Sequence, residues 1–129
     1  MDTSVWIDYF NGVVNWQTDY LEQSLSSDSI IIGDIILTEI LRGFRKDRDY
    51  YTARDFLDFL ECVQLGGKEM AMKSASNYRF LRSGGITIRK TVDLIVGTWC
   101  AEHSMPLLHN DKDFDHMAKK LDLKVVSKP

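Results

Sequence analysis

Cysteine and proline are both scarce in this sequence, which contains two residues of each. The cysteines, Cys62 and Cys100, are widely separated and form no Cys-X-X-Cys pair, so a disulfide framework is not expected. We expect both to sit in apolar surroundings. We therefore interpret them as reduced thiols and expect a cytoplasmic protein, because disulfides persist in oxidising compartments.

Long hydrophobic runs are absent as well. Segments such as Ile30–Ile32 and Ile35–Leu37 are far too short to cross a bilayer. The chain does not open with a basic segment followed by an apolar one, so we expect no signal peptide. The 129 residues, of which 44% are hydrophobic, suit one soluble globular domain over residues 1–129.

Basic residues are in deficit. The sequence has 16 Lys and Arg against 19 Asp and Glu, and its formal net charge is −3 at pH 7. Taken alone, this balance argues mildly against a nucleic-acid partner, because phosphate contacts usually require an excess of Lys and Arg. The objection weakens if acidic residues converge on metal ions, since bound cations reverse the sign of the local field.

Two apolar periodicities alternate along the chain. Helical spacing predicts helices over residues 13–25, 37–44, 53–60, 71–81, 92–100 and 113–121, and short apolar runs predict strands at 30–32, 62–65, 107–108 and 123–126. Asp34 is the expected cap of the second helix, and Gly84-Gly85 the expected end of the fourth. The alternation indicates an α/β fold with a mostly parallel sheet covered on both faces.

Four acidic residues stand where they could meet at one end of such a sheet. Asp2 lies at the start of the chain, and Asp111 follows the predicted strand at 107–108. Glu39 and Asp93 each lie one position off the apolar stripe of a helix. Active sites of open α/β sheets form beyond the carboxyl ends of the strands, so we expect these four carboxylates to converge there.

Converging carboxylates are costly unless cations neutralise them. Mg²⁺ and Mn²⁺ are hard divalent cations that prefer such oxygen ligands. Two ions about 4 Å apart can hold a phosphodiester, activate water and stabilise the leaving oxygen. The pattern therefore favours phosphodiester hydrolysis by metal-activated water, without a covalent nucleophile on the protein.

Four segments resemble, in the family's order, the motifs of PIN domains of the VapC type, which are the toxin halves of VapBC toxin–antitoxin pairs. These segments are "MDTSVWIDYFNG", "LTEILRGFR", "GITIRKTVDLIVGTWCAEH" and "LLHNDKDFDHMA". Each is weak alone, but together they extend over nearly the whole chain. The family's acids match Asp2, Glu39, Asp93 and Asp111, which the resemblance implies are the catalytic metal ligands.

The resemblance implies further site residues and partners. The family's supporting hydroxyl matches Thr3, with Ser4 beside it, and Asp113 and Asp115 match acids that follow the fourth motif acid. The implied fold is a three-layer α/β sandwich with a mostly parallel sheet of about five strands. The implied activity is endoribonuclease cleavage of RNA with one or two Mg²⁺ or Mn²⁺ ions. A cognate VapB-type antitoxin and a homodimer are also implied, and we expect the antitoxin to insert an Arg among the carboxylates.

One departure from the family concerns the first strand. Several apolar residues usually precede the first acid and form the central strand, whereas only Met1 precedes Asp2 here. A start upstream of Met1, a trimmed chain and an unusually short strand all stay open as explanations.

Several charged residues allow two interpretations. Any one of the four acids, taken alone, is more often a turn, cap or solvated helix residue. The basic residues could contact the RNA backbone or could be solvated residues at helix ends, where cations are favoured. This group comprises Arg42, Arg45, Lys46, Arg48, Arg79, Arg82, Arg89 and Lys90.

The histidines and aromatic residues are also ambiguous. The three histidines lack zinc spacing, so we interpret them as ordinary surface or loop residues. His109 has the alternative of a place at the rim of the site, because it lies close to Asp111 in the sequence. Five aromatic residues could be core or could form an apolar groove for an antitoxin: Trp6, Trp16, Tyr20, Tyr50 and Tyr51.

Two other function classes compete with a ribonuclease. A catalytically silent PIN-like module would dock RNA or protein, but the presence of all four acids argues against it. A phosphoacceptor receiver domain would carry an acceptor Asp at the end of the mid-chain strand, where Gly66-Gly67 stands instead. The sequence leaves transfer, ribosomal and messenger RNA open as targets.

Overall fold

The computed structural model describes residues 1–27 and 29–129. It divides into two compact units, Met1–Gln64 and Leu65–Pro129, which we call the first and second units. None of the helices among the described residues is long and apolar enough to cross a membrane. Neither Cys62 nor Cys100 forms a disulfide bond. Cys100 is buried as expected, but Cys62 is exposed, so the apolar surroundings inferred for it were wrong.

The first unit contains four helices and two strands within its described residues. In chain order they are α1 (Thr3–Phe10), α2 (Trp16–Ser26), β1 (Ile31–Gly33), α3 (Asp34–Leu41), α4 (Asp47–Asp58) and β2 (Glu61–Val63). Helix α1 packs on α2 and on α3. A capping box between Asn15 and Thr18 starts α2, because each residue's side chain accepts a hydrogen bond from the other's backbone N–H.

Strands β1 and β2 are parallel neighbours, with Ile32 opposite Cys62. The connection between them runs through α3 and α4, as a parallel pair requires a crossover. Trp6, Leu21 and Leu57 are fully buried residues of this unit. Helix α3 starts directly after β1 and carries Glu39, one of the four predicted acids.

The second unit contains three helices: α5 (Lys68–Ser83), α6 (Thr91–Glu102) and α7 (Lys112–Lys120). Helix α6 packs on both α5 and α7. The contact with α7 is close at Gly97, where an added Cβ would lie 2.7 Å from Sδ of the fully buried Met117. A single parallel bridge joins Leu107 and Val125.

The expected sheet of about five strands is wrong for the described residues, in which only β1 and β2 are strands. Within the described residues, Met1 and Asp2 belong to no strand, and α1 starts at Thr3. The strands predicted at 107–108 and 123–126 are reduced to the Leu107–Val125 bridge. These two segments are short, and Pro106 has no N–H to extend the ladder. The coarser prediction, helices combined with parallel strands, is confirmed.

All six predicted helices are present, with shifted ends. Asp34 is the first residue of α3 rather than its cap, and Gly33 occupies the cap position. Gly84 caps the end of α5 as expected. Helix α1 was not predicted, although Val5 and Trp6 are buried and Asp2 caps its start.

Candidate active site

Asp2 is the N-cap of α1, and its carboxylate is held by Ser4. Its Oδ2 accepts hydrogen bonds from the Ser4 hydroxyl at 2.7 Å and from the Ser4 backbone N–H at 3.3 Å. The residue is only 4% exposed. Burial raises the pKa of Asp2 above its usual range, because the loss of hydration outweighs these stabilising hydrogen bonds. The charged form of Asp2, at the N-cap of α1, therefore lowers the stability of the fold.

Thr3, the residue that follows Asp2, is hydrogen-bonded to Glu39. The Thr3 Oγ1 donates a 2.6 Å hydrogen bond to Glu39 Oε1, so the start of α1 is tied to α3. Since Thr3 follows Asp2 directly, the bond brings two of the predicted acids to one region of the first unit. Glu39 is partly buried rather than a freely solvated helix residue.

Asp93 lies in the first turn of α6, where the helix dipole favours a negative charge. The residue is 7% exposed, and Leu94 and Val96 beside it are also buried. A charged residue at this depth is unusual for a helix whose other buried members are apolar or small. Burial therefore supports the interpretation that Asp93 does more than start a helix.

Asp111 is the N-cap of α7. Its Oδ1 accepts the Asp113 backbone N–H at 2.9 Å, and its own N–H donates to His109 Nδ1 at 3.1 Å. The Asp111 side chain is thus oriented by the helix that it caps. One of its oxygens is occupied by the cap, and the residue is partly exposed.

His109, interpreted as an ordinary surface or loop histidine, does lie in a loop but is not on the surface. The residue is buried, its ring lies 5.2 Å from that of Phe114, and its Nε2 lies 3.3 Å from Asp115 Oδ1. Nδ1 can accept the Asp111 N–H only when the ring proton is on Nε2, the nitrogen that faces Asp115. His109 therefore positions Asp111. The signal in the sequence was its place between an apolar segment and three spaced aspartates.

The predicted supporting residues have defined partners. Thr3 binds Glu39, Ser4 binds Asp2, Asp113 supplies the N–H that Asp111 accepts, and Asp115 faces His109. The predicted RNA-binding residues are all exposed, and none takes part in an ion pair among residues 1–27 and 29–129. They are Arg42, Arg45, Arg82, Arg89 and Lys90.

The donor chemistry of the predicted acids fits a hard divalent cation. Asp2 and Glu39 in the first unit, and Asp93 and Asp111 in the second, offer only carboxylate oxygens. A cation would also offset the cost of the buried charge of Asp2. Within the part of the chain that the structure describes, no three His, Cys, Asp or Glu side chains are already grouped as metal ligands.

The aromatic residues divide between core and surface. Trp6 is fully buried, whereas Tyr51 is 50% exposed. In the first unit, Phe10 contacts the rings of Phe44 and Phe56 at centroid distances of 5.6 and 6.0 Å. Large apolar side chains remain exposed in this unit: Ile7, Val13, Val14, Tyr51, Phe56 and Phe59.

Comparison with known proteins identifies the family. Ribonuclease VapC11 of Mycobacterium tuberculosis and a VapC ribonuclease of Mycobacterium bovis are each 26% identical over 129 residues, which cover 98% of this chain and 96% of each relative. The fold resembles that in a crystal structure of VapBC2 from Rickettsia felis bound to promoter DNA, with a TM-score of 0.75 and 20% identity over 96% of this chain and 93% of that one. DNA-bound VapBC from Salmonella typhimurium gives a TM-score of 0.75 with 15% identity over 97% and 93% of the two chains. Residues 1–120 match the PIN domain, and the chain therefore belongs to the PIN domain family.

Proposed function

We propose that this chain is the toxin ribonuclease of a toxin–antitoxin pair and that it cleaves RNA with a divalent cation. One observation carries the proposal. The buried Asp2 is followed directly by Thr3, whose hydroxyl is hydrogen-bonded to Glu39, in a chain that matches VapC ribonucleases over 98% of its length. A buried acid that destabilises the metal-free protein is expected where function requires the charge. We further propose that residues 1–129 act as one PIN-like domain in the cytoplasm.

The proposed metal ligands are Asp2, Glu39, Asp93 and Asp111, and the proposed ions are Mg²⁺ or Mn²⁺, one or two in number. When bound, such a cation activates water and stabilises charge on a phosphodiester. The ligand residues supply negative charge and fixed oxygen positions. Burial of Asp2 and Asp93 excludes water from these carboxylates, which strengthens their attraction for a cation.

Neighbouring residues hold these ligands in place. Ser4 fixes the Asp2 carboxylate through its hydroxyl and N–H, and Thr3 fixes one oxygen of Glu39. His109 orients the Asp111 backbone by accepting its N–H, and the Asp113 N–H orients the Asp111 side chain by donating to its carboxylate. Preorganised ligands pay little entropy when a cation binds, so these contacts favour tight coordination.

Exposed basic residues are the proposed contacts to the RNA backbone. Arg42 and Arg45 follow α3, the helix of Glu39, while Arg89 and Lys90 precede α6, the helix of Asp93. Arg82 lies in the last turn of α5. All are exposed and therefore available to phosphates. Their placement beside the helices of two candidate ligands supports this role in a chain whose net charge is −3.

The proposed protein partners are a VapB-type antitoxin and a second copy of the chain. The VapBC complexes that resemble the fold support the antitoxin. The exposed apolar residues of the first unit, among them Val14 at 84% and Phe59 at 92% exposure, support a protein-covered surface. An antitoxin Arg that reaches the carboxylates would occupy the cation's place, since guanidinium binds carboxylates in a bidentate manner.

The decisive experiment measures cleavage of a mixed single-stranded RNA pool with Mg²⁺ or Mn²⁺. Asp93→Asn keeps the side-chain shape but removes one ligand charge, and Asp122→Asn, at an exposed acid of the second unit, is the matched control. We expect the parent and the control to cleave, EDTA to stop both, and Asp93→Asn to be inactive. If folded parent protein does not cleave any RNA with either metal, the chain is better explained as a silent binding module.

A further inference from the structure

A cavity of about 510 Å³ opens between α5 and α6 in the second unit, and we call it the α5–α6 groove. Its volume lies in the range of small-ligand sites, roughly 300–1,000 Å³. Ser74, Tyr78 and Arg79 line it from α5, and Arg89 and Leu94 are among the residues on the other side. The proposed metal and backbone contacts do not explain why such a groove is present.

The walls of the groove suit a flat, largely apolar ring. Ile88 and Leu94 are buried apolar residues, at 4% and 7% exposure. Tyr78 offers a partly buried aromatic ring among the lining residues. Unpaired RNA bases bind proteins by stacking on aromatic and apolar side chains in this way.

One residue that lines the groove has a buried polar group without a hydrogen-bond partner in the described part of the chain. Ser74 is 4% exposed, and its Oγ has no hydrogen-bond partner among the described residues. A buried hydroxyl without a partner costs free energy comparable to a lost hydrogen bond, so such groups usually mark a functional site or a bound molecule. A base edge carries donors and acceptors that a serine hydroxyl can bind.

Positive charge borders the groove. Arg79 and Arg89 line it from opposite sides and are both exposed. In a chain with three more acidic than basic residues, two arginines around one apolar cavity favour an anionic ligand. Stacking walls, a buried hydroxyl and flanking guanidinium groups together match a nucleotide better than an apolar peptide.

The groove lies on the helix that carries a proposed metal ligand, but on its other face. Thr91, Leu94 and Ile95 line the groove from one face of α6, whereas Asp93, in the same first turn, falls on the opposite face. An RNA strand with one base in the groove would therefore pass around α6, across roughly 10 Å, to reach the Asp93 carboxylate.

We propose that the α5–α6 groove binds one unpaired base of the RNA substrate and so sets the sequence preference of cleavage. Ser74 Oγ binds the base edge, Tyr78 packs on the ring, and Arg79 and Arg89 hold the adjoining phosphates. This inference rests on the proposed ribonuclease function. The proposed metal ligands would act on a phosphodiester whatever the neighbouring base, and the groove would add the selection of that base.

The test compares Ser74→Ala and Ser74→Leu with Ser76→Leu, an exposed serine on the same helix outside the groove. Cleavage is mapped on the mixed RNA pool by sequencing product ends. Binding is measured by fluorescence anisotropy with 12-nucleotide RNAs, one of them abasic at the preferred position, in the inactive Glu39→Gln background. Circular dichroism verifies that each variant is folded. If Ser74→Leu does not fold, Arg79→Ala and Arg89→Ala replace it.

We expect Ser74→Ala to weaken the base preference about three- to tenfold, the usual effect of one lost hydrogen bond. Ser74→Leu fills the groove and should reduce RNA affinity at least as much, whereas Ser76→Leu should match the parent. The abasic RNA should bind parent and groove variants equally. An unchanged preference in an actively cleaving Ser74→Leu protein overturns the groove proposal but leaves the ribonuclease intact.

Two other outcomes separate the alternatives. If the parent protein neither cleaves nor binds RNA, both the proposed function and the groove assignment fail. If Ser74→Leu leaves RNA binding and cleavage unchanged but weakens binding of the antitoxin, the groove is a protein-docking site and the base proposal is overturned.

Discussion

Thr3 Oγ1 donates a 2.6 Å hydrogen bond to Glu39 Oε1, across 36 positions of the sequence. Through this bond the residue next to Asp2 sets the position of a carboxylate on another helix. Glu39 would otherwise be free to sample several rotamers, as glutamates on helices usually do. The bond therefore holds the Glu39 side chain in one position, as its proposed role as a metal ligand requires.

Replacing Thr3 with Val should release Glu39. We expect cleavage at limiting Mn²⁺ to fall about tenfold, in line with the loss of an orienting contact to a proposed metal ligand. Unfolding free energy should fall by about 1 kcal/mol, the usual effect of one hydrogen bond. Thr3→Ser keeps the hydroxyl and is the control. Equal activity of Thr3→Val and the parent at every Mn²⁺ concentration would show that the bond does not position a ligand.

Asp2→Asn should stabilise the metal-free protein at neutral pH while abolishing cleavage. Burial raises the pKa of Asp2 above its ordinary 3.8, so the folded state binds this proton more tightly than the unfolded state. The contribution of Asp2 to stability is thus fully present below pH 3.8 and is lost as the pH rises through the folded-state pKa. Asn removes the charge but can still cap α1.

The measurement is thermal unfolding in EDTA at pH 7 and again below pH 3.8. The advantage of Asp2→Asn should be present at pH 7 and small at the lower pH. Adding Mg²⁺ or Mn²⁺ at pH 7 should raise the melting temperature of the parent but hardly that of the variant. A variant that is less stable than the parent at pH 7 in EDTA would contradict the interpretation of Asp2 as a costly buried charge.

Asp111 has a structural and a proposed catalytic role, and two substitutions separate them. Asp111→Ala removes the cap of α7 and should cost about 1 kcal/mol of unfolding free energy. Asp111→Asn keeps the cap and should lie close to the parent in stability. Both should lose metal-dependent cleavage, because both lack the carboxylate. If Asp111→Asn cleaves RNA like the parent in the same Mg²⁺ and Mn²⁺ buffers, Asp111 is only a capping residue.

The helices were more predictable from the sequence than the strands, and the reason is physical. Apolar residues at helical spacing over residues 92–100 predicted helix α6, and two of them, Val96 and Cys100, are buried. A strand depends on a distant partner, which local periodicity does not encode. The segments around Leu107 and Val125 carry the right residues but form only one bridge.

The candidate site was likewise only partly predictable from the sequence. The four acids could be selected from position and family resemblance, and the roles of Thr3 and Ser4 as neighbours of Asp2 followed from the first motif. The burial of His109 and its bond to the Asp111 N–H could not, since a histidine beside a turn is ordinary in a sequence. The unpartnered hydroxyl of Ser74 likewise depends on packing that only the fold reveals.

Gly97 and Met117 should be energetically coupled, because Gly97 of α6 leaves no room for a Cβ beside the Met117 side chain of α7. In Gly97→Ala, the new Cβ would lie 2.7 Å from Met117 Sδ and 3.4 Å from its Cε, so the fully buried Met117 would have to move. Helix propensity favours Ala over Gly by about 1 kcal/mol, but overpacking a core costs roughly 1–3 kcal/mol. We expect a net loss of stability in the single variant.

In a Met117→Ala background the same change should become stabilising, because the clash disappears and the methyl group partly fills the cavity that Met117 leaves. Denaturant unfolding of the parent, both single variants and the double variant gives the coupling free energy directly. We expect the double variant to be more stable than the sum of the single effects predicts. Strictly additive effects would mean that the cost of adding a methyl group at Gly97 does not depend on the Met117 side chain. The packing of the two helices would then be too loose to hold Asp93 of α6 and Asp111, the cap of α7, in the fixed positions that their proposed role as ligands requires.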